Sequence, residues 1–255
     1  MQVDLSFFPW GSCRSPAALV LSGAGWNTLE QPVLVGVLRH PQRGHYLIDT
    51  GTHPRLWQQN WSTRLFLWLA RMHIPAGPPP VPILSGIFLS HFHFDHAAGL
   101  LDFPDLPVVT SRAGYAWGRQ PAGRLSGWCN SLMPADLERR ATWVEDLPQR
   151  QCGPVSGGDL FGDGSVLTVS LPGHAVGQHG LLCQTERGRV FFVADAAAHS
   201  QVLIGNAKQR LPCLIASDRP AERRTRAFLR GLRNWCTMVP SHCPVAYSGW
   251  DCPKG

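Results

Sequence analysis

The stretch LSHFHFDHAAGL, from Leu89 to Leu100, sets His91, His93, Asp95 and His96 within six consecutive positions. A fold that buries such a cluster must supply partners, because an uncompensated polar group in an apolar interior costs roughly 2–7 kcal/mol. The preceding run ILSGIFLS, Ile83 to Ser90, is short and apolar and reads as a buried strand delivering the cluster at its C-terminal end. Side chains alternate along an extended segment, so His91, His93 and Asp95 can converge on one side while His96 turns to a neighbouring point. Two adjacent foci suggest two metals, which need ligands from elsewhere in the chain. Three candidates each sit just past an apolar strand: His174 after TVSLPG, Asp195 after VFFVA and His242 after CTMVPS. Imidazoles and carboxylates together suit zinc, with iron or manganese chemically compatible. A single histidine past a strand is commonly a packed or surface residue. Four ligand-type residues in six, with three more at strand ends, are not explained that way.

The rest of the pattern predicts an α/β layered fold in one domain spanning residues 1–255. PVLVGVL (Pro32 to Leu38) and HYLIDTG (His45 to Gly51) read as a strand pair ending at an acidic turn. Trp57, Trp61, Leu65, Trp68 and Met72 recur at helical spacing, predicting one amphipathic helix over Pro54 to Met72. Later come a strand from Ser165 toward His174 and two strands within Gly180 to Ala196 around Arg187-Gly188. In a helix over Ser217 to Trp235, Asp218 is the cap and Pro220 sits in the first turn. The eight cysteines show no CxxC pair or framework spacing and read as mostly reduced, buried thiols. The N-terminus lacks a basic start followed by an apolar run, and no apolar run reaches roughly 18 residues. The expectation is a soluble cytoplasmic protein without stable membrane insertion.

Taken together, HFHFDH at His91 to His96, DTG at Asp49 to Gly51, PGH at Pro172 to His174, Asp195 after a hydrophobic strand and the late His242 resemble the metallo-β-lactamase superfamily. The resemblance covers about Asp49 to His242 and implies a four-layer αββα sandwich with two metals at one edge of facing sheets. It assigns His91, His93 and His174 to the first metal and Asp95, His96 and His242 to the second. Asp195 would bridge them, and Asp49 would orient the histidine loop without binding metal. Paired divalent ions bring the pKa of a shared water toward neutrality, and Asp95 is placed to pass a proton to the leaving group. The bridging Asp195 argues against a true β-lactamase. Among the remaining groups, DLFGDGSVLTVSLPGHAVGQHGLL and FPDLPVVTSRAGYAWG are most similar to quorum-quenching acyl-homoserine lactone lactonases. Where those enzymes commonly carry a tyrosine, this chain has Ala198, which makes the adjacent His199 the candidate donor to the substrate carbonyl. A glyoxalase II-like thioesterase, a phosphodiesterase and a non-catalytic metal-pocket regulator are the alternatives.

Partners follow from the same reading: a small, acyl-bearing substrate, with a homodimer compatible. Trp61 and Trp68 are candidates for an acyl-chain wall, against the plainer reading that their stripe packs onto a sheet. Arg223, Arg224, Arg226, Arg230 and Arg233 read as a solvated helix face. The net charge of +6 permits an anionic partner, but no aromatic-interleaved basic patch supports nucleic acid.

Overall fold

The computed structural model describes residues 1–125, 127–210 and 216–250. Its strands are β1 (Asp4–Pro16), β2 (Thr28–His40), β3 (Gly44–Ile48), β4 (Gly86–Phe88), β5 (Val108–Thr110), β6 (Ala141–Trp143), β7 (Gln149–Cys152), β8 (Val155–Asp159), β9 (Val166–Ser170), β10 (His179–Thr185), β11 (Gly188–Ala194) and β12 (Thr237–Pro240). Among the described residues they form two six-stranded sheets, ordered β1-β2-β3-β4-β5-β6 and β12-β11-β10-β9-β8-β7. The first is antiparallel through β3 and parallel from β3 to β6. The second is antiparallel except for the β11–β12 pair.

Burial on both faces explains why the central strands read as continuous apolar runs rather than alternating ones. Along β2, Leu34 and Leu38 enter the core between the sheets, while Val35 and Val37 face the outer layer with Leu47, Ile87 and Leu89. β11 divides the same way, Val190 and Phe192 inward, Phe191 and Val193 toward the helix Arg219–Gly231. Phe7 and Phe192 stack across the inter-sheet core at 5.7 Å. Gly36 is required beneath that stack, since a Cβ there would meet the Phe7 ring at 2.7 Å. Helices outside each sheet complete the four layers that the resemblance implied.

Several elements depart from expectation. The strand over Ile83 to Ser90 contracts to β4, leaving Ile83 94% exposed. The turn between β10 and β11 is Glu186–Arg187, with Thr185 paired to Gly188, one residue earlier than expected. The helix over Pro54 to Met72 is two pieces, a 3-10 turn Pro54–Gln58 and an α-helix Trp61–Leu69. Asn60 breaks it by accepting from the Thr63 amide through its side chain, the geometry of an N-cap. Leu56 and Leu67 are the buried residues of these pieces, so the Trp57-Trp61-Leu65-Trp68 stripe does not pack on a sheet. The helix Arg219–Gly231 is capped by Asp218 as expected, but its arginines are not all solvated. Arg226 is buried against Glu222 at 2.8 Å, and Arg230 donates to the Val202 carbonyl. Cys129, Cys183, Cys236 and Cys243 are buried and free, Cys13 and Cys152 are half-buried and free, and Cys213 and Cys252 lie outside the described residues. Among the described residues no helix is long and apolar enough to cross a membrane.

Candidate metal centre

Every ligand-type residue of the sequence pattern lies just beyond the carboxyl end of a strand, and the two sheets bring these ends to one edge. β3 ends at Ile48, and Asp49 turns the chain with φ 55°, a left-handed conformation that Asp tolerates better than most residues. Its buried carboxylate accepts from the Ser90 amide (2.7 Å), the Ser90 hydroxyl (2.8 Å) and His96 Nδ1 (2.7 Å). Thr50 donates through both its amide and its hydroxyl to the His96 carbonyl. The DTG turn therefore clamps the loop after β4 at both ends. On the other sheet, Ala194 at the end of β11 has φ 46°, strain of order 1–3 kcal/mol for a residue with a Cβ. That turn aims the Asp195 carboxylate at the histidines.

Ligand atoms of His91, His93, His174 and Asp195 lie within 4.8 Å of one another, and so do those of Asp95, His96 and His242. Asp195 joins the two groups: its Oδ2 is 3.2 Å from both His174 Nε2 and His242 Nε2, and its Oδ1 is 3.4 Å from His96 Nε2. Asp95 Oδ2 lies 3.4 Å from His242 Nε2, and His93 Nδ1 lies 3.0 Å from His174 Nε2. These separations are those of ligands around a shared ion, whose metal–nitrogen bonds are about 2.0–2.1 Å for zinc. The imidazoles are oriented from behind. His96 Nδ1 is held by Asp49 and His242 Nδ1 by the Pro32 carbonyl (2.7 Å), which turns each Nε2 inward.

The residues fit a pair of divalent cations on two grounds. First, His91 Nε2, His96 Nε2 and Asp195 Oδ1, all ligand-type atoms of the two groups, are buried without a hydrogen-bond partner. Second, the electrostatics of the two halves differ in the way such a site needs. Burial, reinforced by neighbouring imidazoles, holds His91 well below its ordinary pKa and brings His93 to about 3, so both are neutral ligands. Burial opposes charge on His242 too, but Asp195 and Asp95 outweigh it and lift its pKa to about 9. Asp195, Asp95 and Asp49 likewise raise His96 well above the ordinary value against the effect of burial. A cation at the second group must displace the imidazole protons that these carboxylates stabilise. Metal affinity there is therefore expected to rise with pH and level off above about pH 9, with proton release on binding. Calorimetric zinc titrations in buffers of different ionisation enthalpy check this; a pH-independent affinity would contradict it.

His199 does not join the cluster. Its Nδ1 accepts from the Gln201 amide at the N-terminus of the short helix Ser200–Leu203. The Cys243 thiol is a further hydrogen-bond partner of the ring. Burial raises that thiol's pKa, but its hydrogen bonds with His199 and Ser200 outweigh burial and bring it to about 7. His199 thus braces the segment that carries His242 and lies outside both ligand groups. Trp61 and Trp68 are 76% and 69% exposed and do not line the recess beside the cluster. That recess is small, about 20 Å³, and its lining includes His93, Phe92, Trp117, Trp128 and Val176. Gly118 makes room for it, since a Cβ there would meet the Trp128 ring at 2.0 Å. The indole N–H groups of Trp117 and Trp128 are buried and unpaired. Sequence reading missed this aromatic pair, as well as Ser90 and Thr50. A hydroxyl directly before the first histidine of the cluster was the available signal for Ser90.

A family model described as Metallo-beta-lactamase superfamily matches residues 29–242. The Metallo-hydrolase mfmC of Annulohypoxylon moriforme is 31% identical over 126 residues, covering 47% of this chain but only 33% of that protein. The chain thus spans about a third of that relative. The N-acyl homoserine lactonase AttM of Azorhizobium caulinodans is 26% identical over 250 residues, covering 89% of this chain and 87% of that one. AiiA of B. thuringiensis, solved with N-decanoyl-L-homoserine at its active site, superposes with a TM-score of 0.69 over 98% of this chain and 97% of that one. At 19% identity this last likeness speaks to fold alone. Two facing sheets that carry HxHxDH beyond β4 and its partner ligands beyond β9, β11 and β12, together with that family match, make this chain a member of the metallo-β-lactamase superfamily.

Proposed function

We propose that this chain is a two-metal hydrolase of ester-type bonds whose preferred substrates are lactones bearing an acyl-amide chain. The likeness to AttM along nearly the whole chain supports the reaction class. The observation that carries the substrate reading is the small recess of Phe92, Trp117 and Trp128 beside His93, with two buried, unpaired indole donors. A recess of that size suits a single polar acceptor such as an amide carbonyl, because buried N–H groups favour a ligand that pairs them.

His91, His93 and His174 would hold one ion and Asp95, His96 and His242 the other, with Asp195 between them and zinc, iron or manganese compatible with the donors. Bound divalent ions supply water of near-neutral pKa and a polarising charge for an acyl carbonyl. Asp95, its side chain 19% exposed beside His242, would carry a proton to the departing alkoxide as the ring opens. Asp49 keeps His96 in the tautomer that presents Nε2 inward. The aromatic recess orients the amide end of the acyl group. Trp61 and Trp68 are no part of this arrangement.

The reading is tested with protein of measured metal content against an acyl lactone, a thioester, a phosphodiester and a β-lactam. The expected result is the highest kcat/KM on the acyl lactone. A preference for the thioester would replace the lactone reading; Ala198, buried where lactonases commonly carry a tyrosine hydroxyl, favours that alternative, since a thioester has the better leaving group. The cleft has its own test. Trp128→Phe keeps the ring and removes the N–H, and should raise KM for an acyl-amide lactone roughly three- to tenfold while sparing an unacylated lactone. Equal effects on both substrates would remove the indole donor from recognition.

A further inference from the structure

The largest feature that the metal site leaves unexplained is the outward side of the segment Pro54–Leu69. Trp57 (42%), Trp61 (76%), Leu65 (45%), Phe66 (50%), Trp68 (69%) and Leu69 (63%) are exposed together, where a soluble surface ordinarily scatters such residues singly. At 3.6 residues per turn, Trp61, Leu65, Trp68 and Leu69 share an arc of roughly 100°, and the buried Leu67 lies on the opposite side. The helix therefore has a narrow inward anchor and a broad apolar face turned away from the protein. Its position is fixed at both ends. Gln59 accepts from the Ser131 hydroxyl, and the Phe66 ring meets Phe94, inside the metal motif, edge-on at 5.8 Å.

Charge decides what this face suits. Between Asp49 and Asp95 the sequence contains no carboxylate, and the segment carries Arg55, Arg64 and Arg71, all exposed. Two copies of the face brought together would oppose arginines to arginines, since the acids at its margins, Asp102 and Glu30, already face His53 and Arg14. An acidic bilayer surface is complementary in both respects. Tryptophan prefers the boundary between headgroups and acyl chains, where its ring is apolar and its N–H stays wet, and arginines flanking it meet lipid phosphates. We infer that this face docks the protein peripherally on anionic lipid membranes, with the Trp61 and Trp68 rings inserted at the headgroup level and the metal site held beside the lipid surface. No spanning segment is involved, and the inference stands whether the substrate is a lactone or a thioester.

The test is co-sedimentation of the full chain with phosphatidylcholine vesicles, with and without phosphatidylglycerol. Binding is expected to the phosphatidylglycerol-containing vesicles, to weaken with added salt, and to be much weaker on phosphatidylcholine alone. Trp61→Ser combined with Trp68→Ser should lower vesicle affinity by at least about tenfold, with circular dichroism and zinc content unchanged. Arg64→Ser combined with Arg71→Ser, which leaves the apolar face whole, should abolish the preference for the anionic lipid. Absence of vesicle binding by the native chain would overturn the inference. So would retention of binding in both double variants. A native dimer that the tryptophan variant converts to monomer, without any vesicle binding, would assign the face to a second copy instead.

Discussion

Asp195→Asn is expected to reduce hydrolysis on the order of a thousandfold and to lower metal content at both positions, the largest effect of any single substitution in this chain. The carboxylate stands within 3.4 Å of three imidazoles that belong to both ligand groups. Its negative charge also accounts for much of the raised pKa of His96 and His242. The amide is nearly the same shape but carries no charge, and its NH2 edge repels a cation where an oxygen attracted one. Elemental analysis after zinc reconstitution should give well below the two ions per chain that the ligand groups can hold. In the same variant the His242 imidazole, titrated by NMR without metal, should lose its proton at lower pH than in the native chain, where Asp195 and Asp95 push its pKa up to about 9. Full occupancy of both sites in the variant would mean that Asp195 does not link them.

The second large effect belongs to a residue that touches no metal. Asp49 is fully buried and accepts three hydrogen bonds, from the Ser90 amide, the Ser90 hydroxyl and His96 Nδ1. Asp49→Ala strands three buried donors, which should cost roughly 2–5 kcal/mol of stability. Zinc affinity should also fall about 10- to 100-fold, because the His96 ring loses the partner that fixes its tautomer and direction. Asp49→Asn keeps an acceptor oxygen and should lose less stability, while its lost charge still weakens metal binding. Denaturant unfolding of the metal-free protein and competition with a zinc chelator separate the two quantities. Equal zinc affinity in the native chain and the alanine variant would show that the His96 orientation is set elsewhere.

The site was far more legible in the sequence than its surroundings, and for a physical reason. Seven ligand-type residues following apolar strands have few other uses, so His91, His93, Asp95, His96, His174, Asp195 and His242 declare themselves by chemistry and position, and the structure brings them together as two groups. Helical spacing says which residues share a face but not which way the face turns. The Trp61-Leu65-Trp68 stripe therefore had the right period, while its exposure could be decided only by Asn60 ending the preceding turn and by Leu56 and Leu67 taking the inward positions. β4, β5 and β6 are three residues each, too short to leave a periodic trace, and the long hairpin of β1 and β2 is masked by prolines and a register shift between Pro9 and Ser12. The Trp117–Trp128 cleft joins a helix and a loop through contacts that no local pattern encodes. For His199 the sequence suggested a role at the carbonyl, and what it could not show is that the ring caps the helix Ser200–Leu203.

Stepwise addition of zinc to metal-free protein, with hydrolysis of one acyl-homoserine lactone followed at each step, tests the two-metal account most directly. The account predicts little turnover up to the first equivalent and a steep rise toward the second, with Asp195 coupling the two ligand groups. Full activity at a single equivalent, or lactone opening that zinc, iron and manganese all leave unchanged, would contradict it.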